Sequence, residues 1–159
     1  MQNKPIAILS VDPGAKGSWC LLVPDTLQVA FKPTKTLPMD ILKWITEIEQ
    51  SFRITVIMIE DVHAIFGTSA KSNFSFGYNV GEVNTLAQAS GNRVDRVTPK
   101  IWQKKVGVKS TTKGKAIKKE VAELCARLYP KANIHGPKGG LLDGLSDSLM
   151  IAHFASLKY

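Results

Sequence analysis

The sequence predicts an α/β domain built around a mixed sheet that is flanked by helices. Three observations predict it: two short apolar runs are joined by a glycine-containing turn, a third apolar run is continuous, and later segments carry apolar residues at helical spacing. Strands that come first and then alternate with helices are typical of this class. The 159 residues suit one compact domain, covering residues 1–159.

The predicted strands begin with a hairpin. Residues 6–12 are rich in β-branched side chains and stop at Pro13-Gly14, and Ser18–Val23 is the second apolar run. Residues 28–31 are expected to supply a third strand. The run 55–59 is apolar throughout, as in a central strand buried on both faces, and it leads directly into Glu60.

Helices are predicted wherever apolar residues recur every three or four positions. One follows Pro38 and ends near Arg53. The others are predicted over residues 75–90, 113–129 and 142–157, with a short strand at 93–97 between the first two. A loop is expected from Asp61 to Asn73.

The composition points to a folded protein with a polyanionic partner. Lysine and arginine total 21 against 13 acidic residues, which gives a net charge of +8. No apolar stretch approaches the ~20 residues of a membrane span, so we expect no membrane association. The two cysteines have no zinc-ligand spacing and suit a reducing compartment. These features predict a cytoplasmic protein, or one in the host cytoplasm if the source is a bacteriophage.

Four acidic residues form the main candidate site. Asp12 and Glu60 end predicted central strands, and Asp143 and Asp147 lie one turn apart on the last predicted helix. Oxygen ligands from separate elements suit Mg²⁺ or Mn²⁺, and two such ions ~3.5–4 Å apart can drive phosphodiester hydrolysis. The alternative is that Asp143 merely caps the N-terminal turn of its helix or places a favourable charge there. Strand alternation turns Asp61 the other way, so it is left out of the site.

These segments resemble the motifs of the RuvC family, in order and separation, over nearly the whole chain. Val11-Asp12-Pro13-Gly14 resembles the family's opening motif, and Ile57-Met58-Ile59-Glu60 resembles the strand that ends in its catalytic glutamate. The segment from Asp143 to His153 resembles the closing acidic helix. The family usually spaces its last two aspartates i, i+3, whereas here the spacing is i, i+4.

The resemblance implies a ribonuclease H-like fold and a bacterial or bacteriophage Holliday junction resolvase. It implies a homodimer with two active sites, which nicks opposing strands symmetrically and leaves ligatable ends. The four acidic residues would then be catalytic metal ligands, with two Mg²⁺ ions expected and Mn²⁺ able to substitute.

The resemblance also implies roles for basic and aromatic residues. Lys113 falls where the family has a lysine near the scissile phosphate, and a second family lysine falls on Trp102. Lys100 or Lys104 is a candidate substitute. The family's aromatic wedge, which enters the junction, is assigned to Phe66, although His63 occupies the nearest position and Phe66 could instead pack the loop onto the core.

Clustered lysines are predicted to contact DNA phosphates. Several of them crowd the start of the helix at 113–129, where the helix dipole disfavours cations, so folding alone does not explain them. A solvated helix face is the alternative. The predicted contacts are Lys71, Lys104, Lys109, Lys115, Lys118 and Lys138. The apolar surface of the helix at 75–90 predicts a dimer contact, although core packing explains part of it.

Other functions stay open at this point. The acidic set also serves ribonucleases H and nucleases that cut flaps or forks, and a non-catalytic protein that binds branched DNA would share the basic charge. An ATPase of the actin type is excluded by length. The absence of a GxxxxGK[ST] loop also argues against such an ATPase. No small-molecule cofactor is expected.

Overall fold

The computed structural model describes residues 4–63, 67–109, 111 and 114–159, and these contain five strands and five helices. The strands are β1 Ile6–Val11, β2 Ser18–Val23, β3 Gln28–Pro33, β4 Arg53–Glu60 and β5 Val94–Val97. The helices are α1 Pro38–Ser51, α2 Ala70–Ala89, α3 Pro99–Val106, α4 Lys115–Leu128 and α5 Asp143–Ser156.

The strands form one mixed sheet in the order β3-β2-β1-β4-β5. The first three strands are antiparallel neighbours, whereas β4 and β5 run parallel to β1. The pairing of Val11 with Ile59 aligns the carboxyl ends of β1 and β4 at one edge of the sheet. Parallel pairing therefore brings the residues that follow these two strands together.

Helices cover both faces of this sheet, and alternation along each strand assigns its residues to one face or the other. Ile8 and Met58 pack with α3, α4 and α5, whereas Leu9 and Ile57 pack with α1 and α2. Asp12 and Glu60 have the same parity as Ile8 and Met58, so their side chains lie on the α5 side of the sheet.

Helix α2 begins earlier than the predicted start at residue 75. Its N-cap is Ser69, whose hydroxyl accepts a hydrogen bond from the Ser72 N–H and so satisfies a free donor of the first turn. The C-terminal half packs against the sheet through Val83 and Leu86. The N-terminal half leaves Phe74 78% exposed, together with Tyr78.

Helix α3 is an element that the sequence pattern does not predict. It begins at Pro99, directly after β5, and ends at Gly107, whose φ of 98° is the left-handed conformation that favours glycine at a helix end. Across the part of the chain that the structure describes, no helix is long and apolar enough to cross a membrane.

Candidate active site

Asp12 lies at the point where β1 turns into the first hairpin. Its backbone N–H donates to the Ser18 carbonyl oxygen at 3.1 Å, and its Oδ1 accepts from the Gly14 N–H at 2.9 Å. A Cβ on Gly17 would come within 1.9 Å of the Asp12 carbonyl oxygen. The tight turn therefore requires glycine at position 17, and it fixes the direction of the Asp12 carboxylate.

Glu60 is the last residue of β4 and lies at the same sheet edge. Its Oε1 accepts a hydrogen bond from Trp102 Nε1 at 2.8 Å. Because Glu60 pairs with Val97 at the end of β5, helix α3 starts beside it and carries Trp102 over the strand end. This indole is 1% exposed, so the hydrogen bond forms away from solvent.

Helix α5 is fixed against the sheet by buried polar contacts near its start. Ser10 Oγ donates to the Ser148 carbonyl oxygen at 2.6 Å, and Ser18 Oγ donates to the Gly144 carbonyl oxygen at 3.0 Å. A Cβ on Gly144 would lie 2.0 Å from the Lys16 carbonyl oxygen, so only glycine allows this approach. These contacts set Asp143 and Asp147 opposite the hairpin turn.

All four predicted acidic residues line one open cavity of about 450 Å³. The cavity is also lined by Lys16 and Lys118, and Lys118 Nζ forms an ion pair with Asp143 Oδ2. The remaining lining residues are Gly14, Ala15, Gly17, Val62, Phe76 and Gly144. Asp61 is not among them, in agreement with strand alternation. The four acidic residues singled out in the sequence therefore line the same cavity.

The carboxylates of this cavity are held in an environment that disfavours their charge. Burial raises the pKa of Glu60 to about 7, and the Asp12 charge adds to that shift. Burial likewise raises the pKa of Asp147 to about 7, with further contributions from Asp12 and Glu60. The pKa of Asp12 is also raised by burial, against the Gly14 hydrogen bond and the charge of Lys118. The charge of Lys118 lowers the pKa of all three carboxyl groups, but the effect of burial is larger.

The donor set fits a hard divalent cation. Carboxylate oxygens are the ligands that Mg²⁺ prefers, and a cation would relieve both the desolvation and the mutual repulsion of these groups. Among the described residues, no three Asp, Glu, His or Cys side chains are grouped closely enough to hold one ion. A metal would have to draw the carboxylates together.

The predicted DNA-contacting residues are spread over several surfaces. Lys104 and Lys109 line a second cleft between α3 and α4, together with Lys100. Lys118 is the one of the predicted lysines that lines the acidic cavity in the part of the chain described. Lys71, Lys115 and Lys138 are exposed. Phe66 and Lys113 lie outside the described residues.

Three residues of the site escaped sequence reasoning. Lys16 belongs to the hairpin turn, where a glycine-flanked lysine carries no distinctive spacing. Phe76 lines the cavity from α2. Trp102 was noted as the position of a family lysine, but its indole hydrogen bond to Glu60 depends on α3, which the pattern did not reveal.

The fold is shared with known structures, although no family model matches the chain and no curated protein matches it. A Thermus thermophilus RuvC structure is 18% identical over 96% of both chains, with a TM-score of 0.61. T. thermophilus RuvC in complex with a Holliday junction substrate is also 18% identical over 96% of both chains, with a TM-score of 0.59. The yeast mitochondrial Holliday junction resolvase is 14% identical over 98% of this chain and 82% of that chain, with a TM-score of 0.51. The predicted ribonuclease H-like mixed sheet flanked by helices is thus confirmed.

Proposed function

We propose that this chain is a metal-dependent endodeoxyribonuclease that resolves Holliday junctions and other branched DNA. The observation that carries the proposal is the gathering of Asp12, Glu60, Asp143 and Asp147 around one open cavity. The chain has this cavity on the fold of a protein whose structure was solved with a Holliday junction substrate. The nuclease would be a single domain covering residues 1–159.

The four carboxylates would act as metal ligands, two Mg²⁺ ions being the expected complement and Mn²⁺ a substitute. When bound, such ions activate a water molecule and stabilise the leaving oxygen of the phosphodiester. The protein fixes Asp12 through Gly14 and fixes α5 through buried serines, so its ligands approach from three elements in set directions. Lys113 would stabilise charge that develops on the scissile phosphate.

The basic residues around the cavity would hold the DNA backbone. The net charge of +8 favours phosphate contact, and Lys118 and Lys16 already line the cavity that a phosphate must approach. Lys104 and Lys109 would extend this surface along the cleft between α3 and α4. Phe66 would enter the junction as the aromatic wedge.

Paired symmetric incision would require two active sites related by a two-fold axis, as in a homodimer. The exposed aromatic residues Phe74 and Tyr78 on α2 offer apolar surface for that contact. The substrate would then be cut at opposed positions, which leaves ends that a ligase can join.

The decisive experiment compares end-labelled four-way junctions, Y-forks, flaps, RNA–DNA hybrids and linear duplex, each with Mg²⁺ and with EDTA. We expect Mg²⁺-dependent paired cuts in the four-way junction. Cutting of flaps or hybrids in preference to junctions would assign a different nuclease activity. Junction binding with no cutting under any metal would identify a non-catalytic binding protein.

Asp12→Asn is the variant that tests the cavity. It keeps the side-chain shape but removes a charged metal ligand, so cleavage should collapse. Binding to the junction in EDTA should hold or tighten, because one negative charge is lost near the DNA. Asp61→Asn is the matched control, since Asp61 follows Glu60 but does not line the cavity. A folded Asp12→Asn protein that cuts at the rate of Asp61→Asn would contradict the site.

A further inference from the structure

Trp102 occupies a place next to the acidic cavity that its burial alone does not explain. Its ring packs in the core between the sheet and α3–α5, while its Nε1 donates to Glu60 Oε1 at 2.8 Å. Trp19 provides a comparison within the same chain. It is equally buried, yet among the described residues its Nε1 has no hydrogen-bond partner. Burial of an indole in this fold therefore does not by itself bring its N–H to a carboxylate, as it does at Trp102.

The backbone fixes the position of Trp102 relative to Glu60. Glu60 pairs with Val97, and the Asp61 N–H donates to the Val97 carbonyl oxygen at 2.8 Å, which ties the end of β4 to the end of β5. Helix α3 starts only two residues later, at Pro99, whose ring fixes the first helical turn. Trp102 is thus held over Glu60 by a short, rigid connection.

The hydrogen bond treats the two carboxylate oxygens of Glu60 differently. Oε1 accepts the indole hydrogen bond, which holds the carboxyl group in one orientation and occupies one lone pair of Oε1, and this favours Oε2 as the oxygen that meets a cation. The indole is a neutral donor, and therefore it orients the carboxylate without adding a positive charge beside a metal. A lysine at this position would do both.

We propose that Trp102 is a positioning residue that holds Glu60 to one-oxygen coordination and so favours Mg²⁺ over Ca²⁺. The inference rests on the proposed metal-dependent function. Mg²⁺ demands near-ideal octahedral geometry, whereas Ca²⁺ accepts both one-oxygen and two-oxygen carboxylates at higher coordination number. Loss of the indole hydrogen bond would allow Glu60 to bind through both oxygens, which should weaken Mg²⁺ binding and affect Ca²⁺ binding little.

The test compares Trp102→Phe with Trp19→Phe by isothermal titration calorimetry, with MgCl₂ and CaCl₂ and without DNA. Both changes remove one buried indole, but only the first removes a hydrogen bond to a ligand. We expect Trp102→Phe to weaken Mg²⁺ binding about tenfold or more, the usual cost of losing a partner that orients a metal ligand. Ca²⁺ binding should change less, and Trp19→Phe should leave the ratio of the two affinities unchanged.

A second substitution covers the case in which Trp102→Phe does not fold. Site-specific replacement of Trp102 by benzothienylalanine keeps the bicyclic shape and removes only the N–H donor, so it should reproduce the loss of Mg²⁺ preference. The proton–nitrogen NMR spectrum of the wild type adds an independent measurement, because the chain has three tryptophans and therefore three indole N–H peaks. Mg²⁺ should move the Trp102 peak and leave that of Trp19 in place.

The outcomes separate the two proposals. A wild type that cuts junctions, with Trp102→Phe and Trp19→Phe showing the same ratio of Mg²⁺ to Ca²⁺ affinity, would overturn the role of Trp102 alone. A wild type that binds neither cation and cuts no DNA would overturn the proposed function, and the inference with it.

Discussion

Replacing Glu60 by glutamine should make the metal-free protein more stable at alkaline pH. Glutamine retains an oxygen that accepts the Trp102 hydrogen bond, and it removes a charge that the cavity disfavours. A carboxylate that costs stability in the folded state is expected of a metal ligand, since binding rather than folding explains its presence.

The magnitude follows from the pKa of Glu60, which rises from 4.5 in the unfolded chain to about 7 in the folded one. The folded carboxyl group keeps its proton longer, so the stability of the wild type falls as the pH rises from about 4.5 to 7. At about 1.4 kcal/mol per pKa unit, the charge costs about 3 kcal/mol at pH 8 and less than about 1 kcal/mol at pH 5. For a chain of this length the alkaline difference corresponds to about 6–12 °C in Tm.

The assay is thermal unfolding of the wild type, Glu60→Gln and Asp61→Asn in EDTA at pH 5 and pH 8. Glu60→Gln should melt well above the wild type at pH 8 and close to it at pH 5, while Asp61→Asn serves as the control for charge removal outside the cavity. Saturating Mg²⁺ at pH 8 should raise the Tm of the wild type more than that of Glu60→Gln. A Glu60→Gln protein that is less stable than the wild type at both pH values would refute the reasoning.

Further outcomes follow from the other contacts of the site. Lys118→Gln should tighten Mg²⁺ binding measured without DNA, because it removes a cation paired with Asp143. Lys119→Gln is the control and should leave Mg²⁺ affinity unchanged, because Lys119 lies beside Glu123 instead. Equal Mg²⁺ affinities in the two variants would contradict this role of Lys118. Gly144→Ala should lower the Tm strongly, since its Cβ would lie 2.0 Å from a backbone oxygen, and a Tm like that of the wild type would show that α5 can shift freely. Junction affinity should fall about 1,000-fold or more between ~50 and ~200 mM salt if some six phosphates are contacted, and a flat response would argue against a basic DNA surface. Sedimentation should show a homodimer, and a monomer both free and bound to the junction would remove paired incision.

The strands, and the acidic residues that line the cavity, could be located from the sequence because both depend on local patterns. Alternating and continuous apolar runs locate β1 and β4, and the residues that end those strands are then placed by parallel pairing. Helix α3 was missed because it is eight residues long and lysine-rich, so its two buried residues give too little periodicity. The Ser69 cap of α2 was also overlooked, which set the predicted start of that helix five residues late.

The electrostatics of the site depend on tertiary contacts that no local pattern contains. The pairing of Lys118 with Asp143 joins α4 to α5 across 25 positions of sequence, and the Trp102 bond to Glu60 spans 42. A lysine at the start of α4 looks the same in sequence whether it meets solvent, phosphate or a carboxylate. Only the packing of α4 against α5 decides between them.

The hydrogen bond that ties the end of β4 to the end of β5 has a consequence for which parts of this fold can change. The chain leaves the sheet at Glu60, passes through α2 and rejoins the sheet at Val94, and the Asp61 N–H then donates to the carbonyl oxygen of Val97 at the end of β5. Insertions, deletions or a different helix between β4 and β5 would leave these two strands paired in the same register. The strand ends beside the acidic cavity are therefore tied to each other independently of the exposed α2 residues Phe74 and Tyr78, although Phe76 of the same helix lines the cavity. Substitution of Phe74 and Tyr78, which are exposed and do not line the acidic cavity, should therefore leave the geometry of that cavity unchanged.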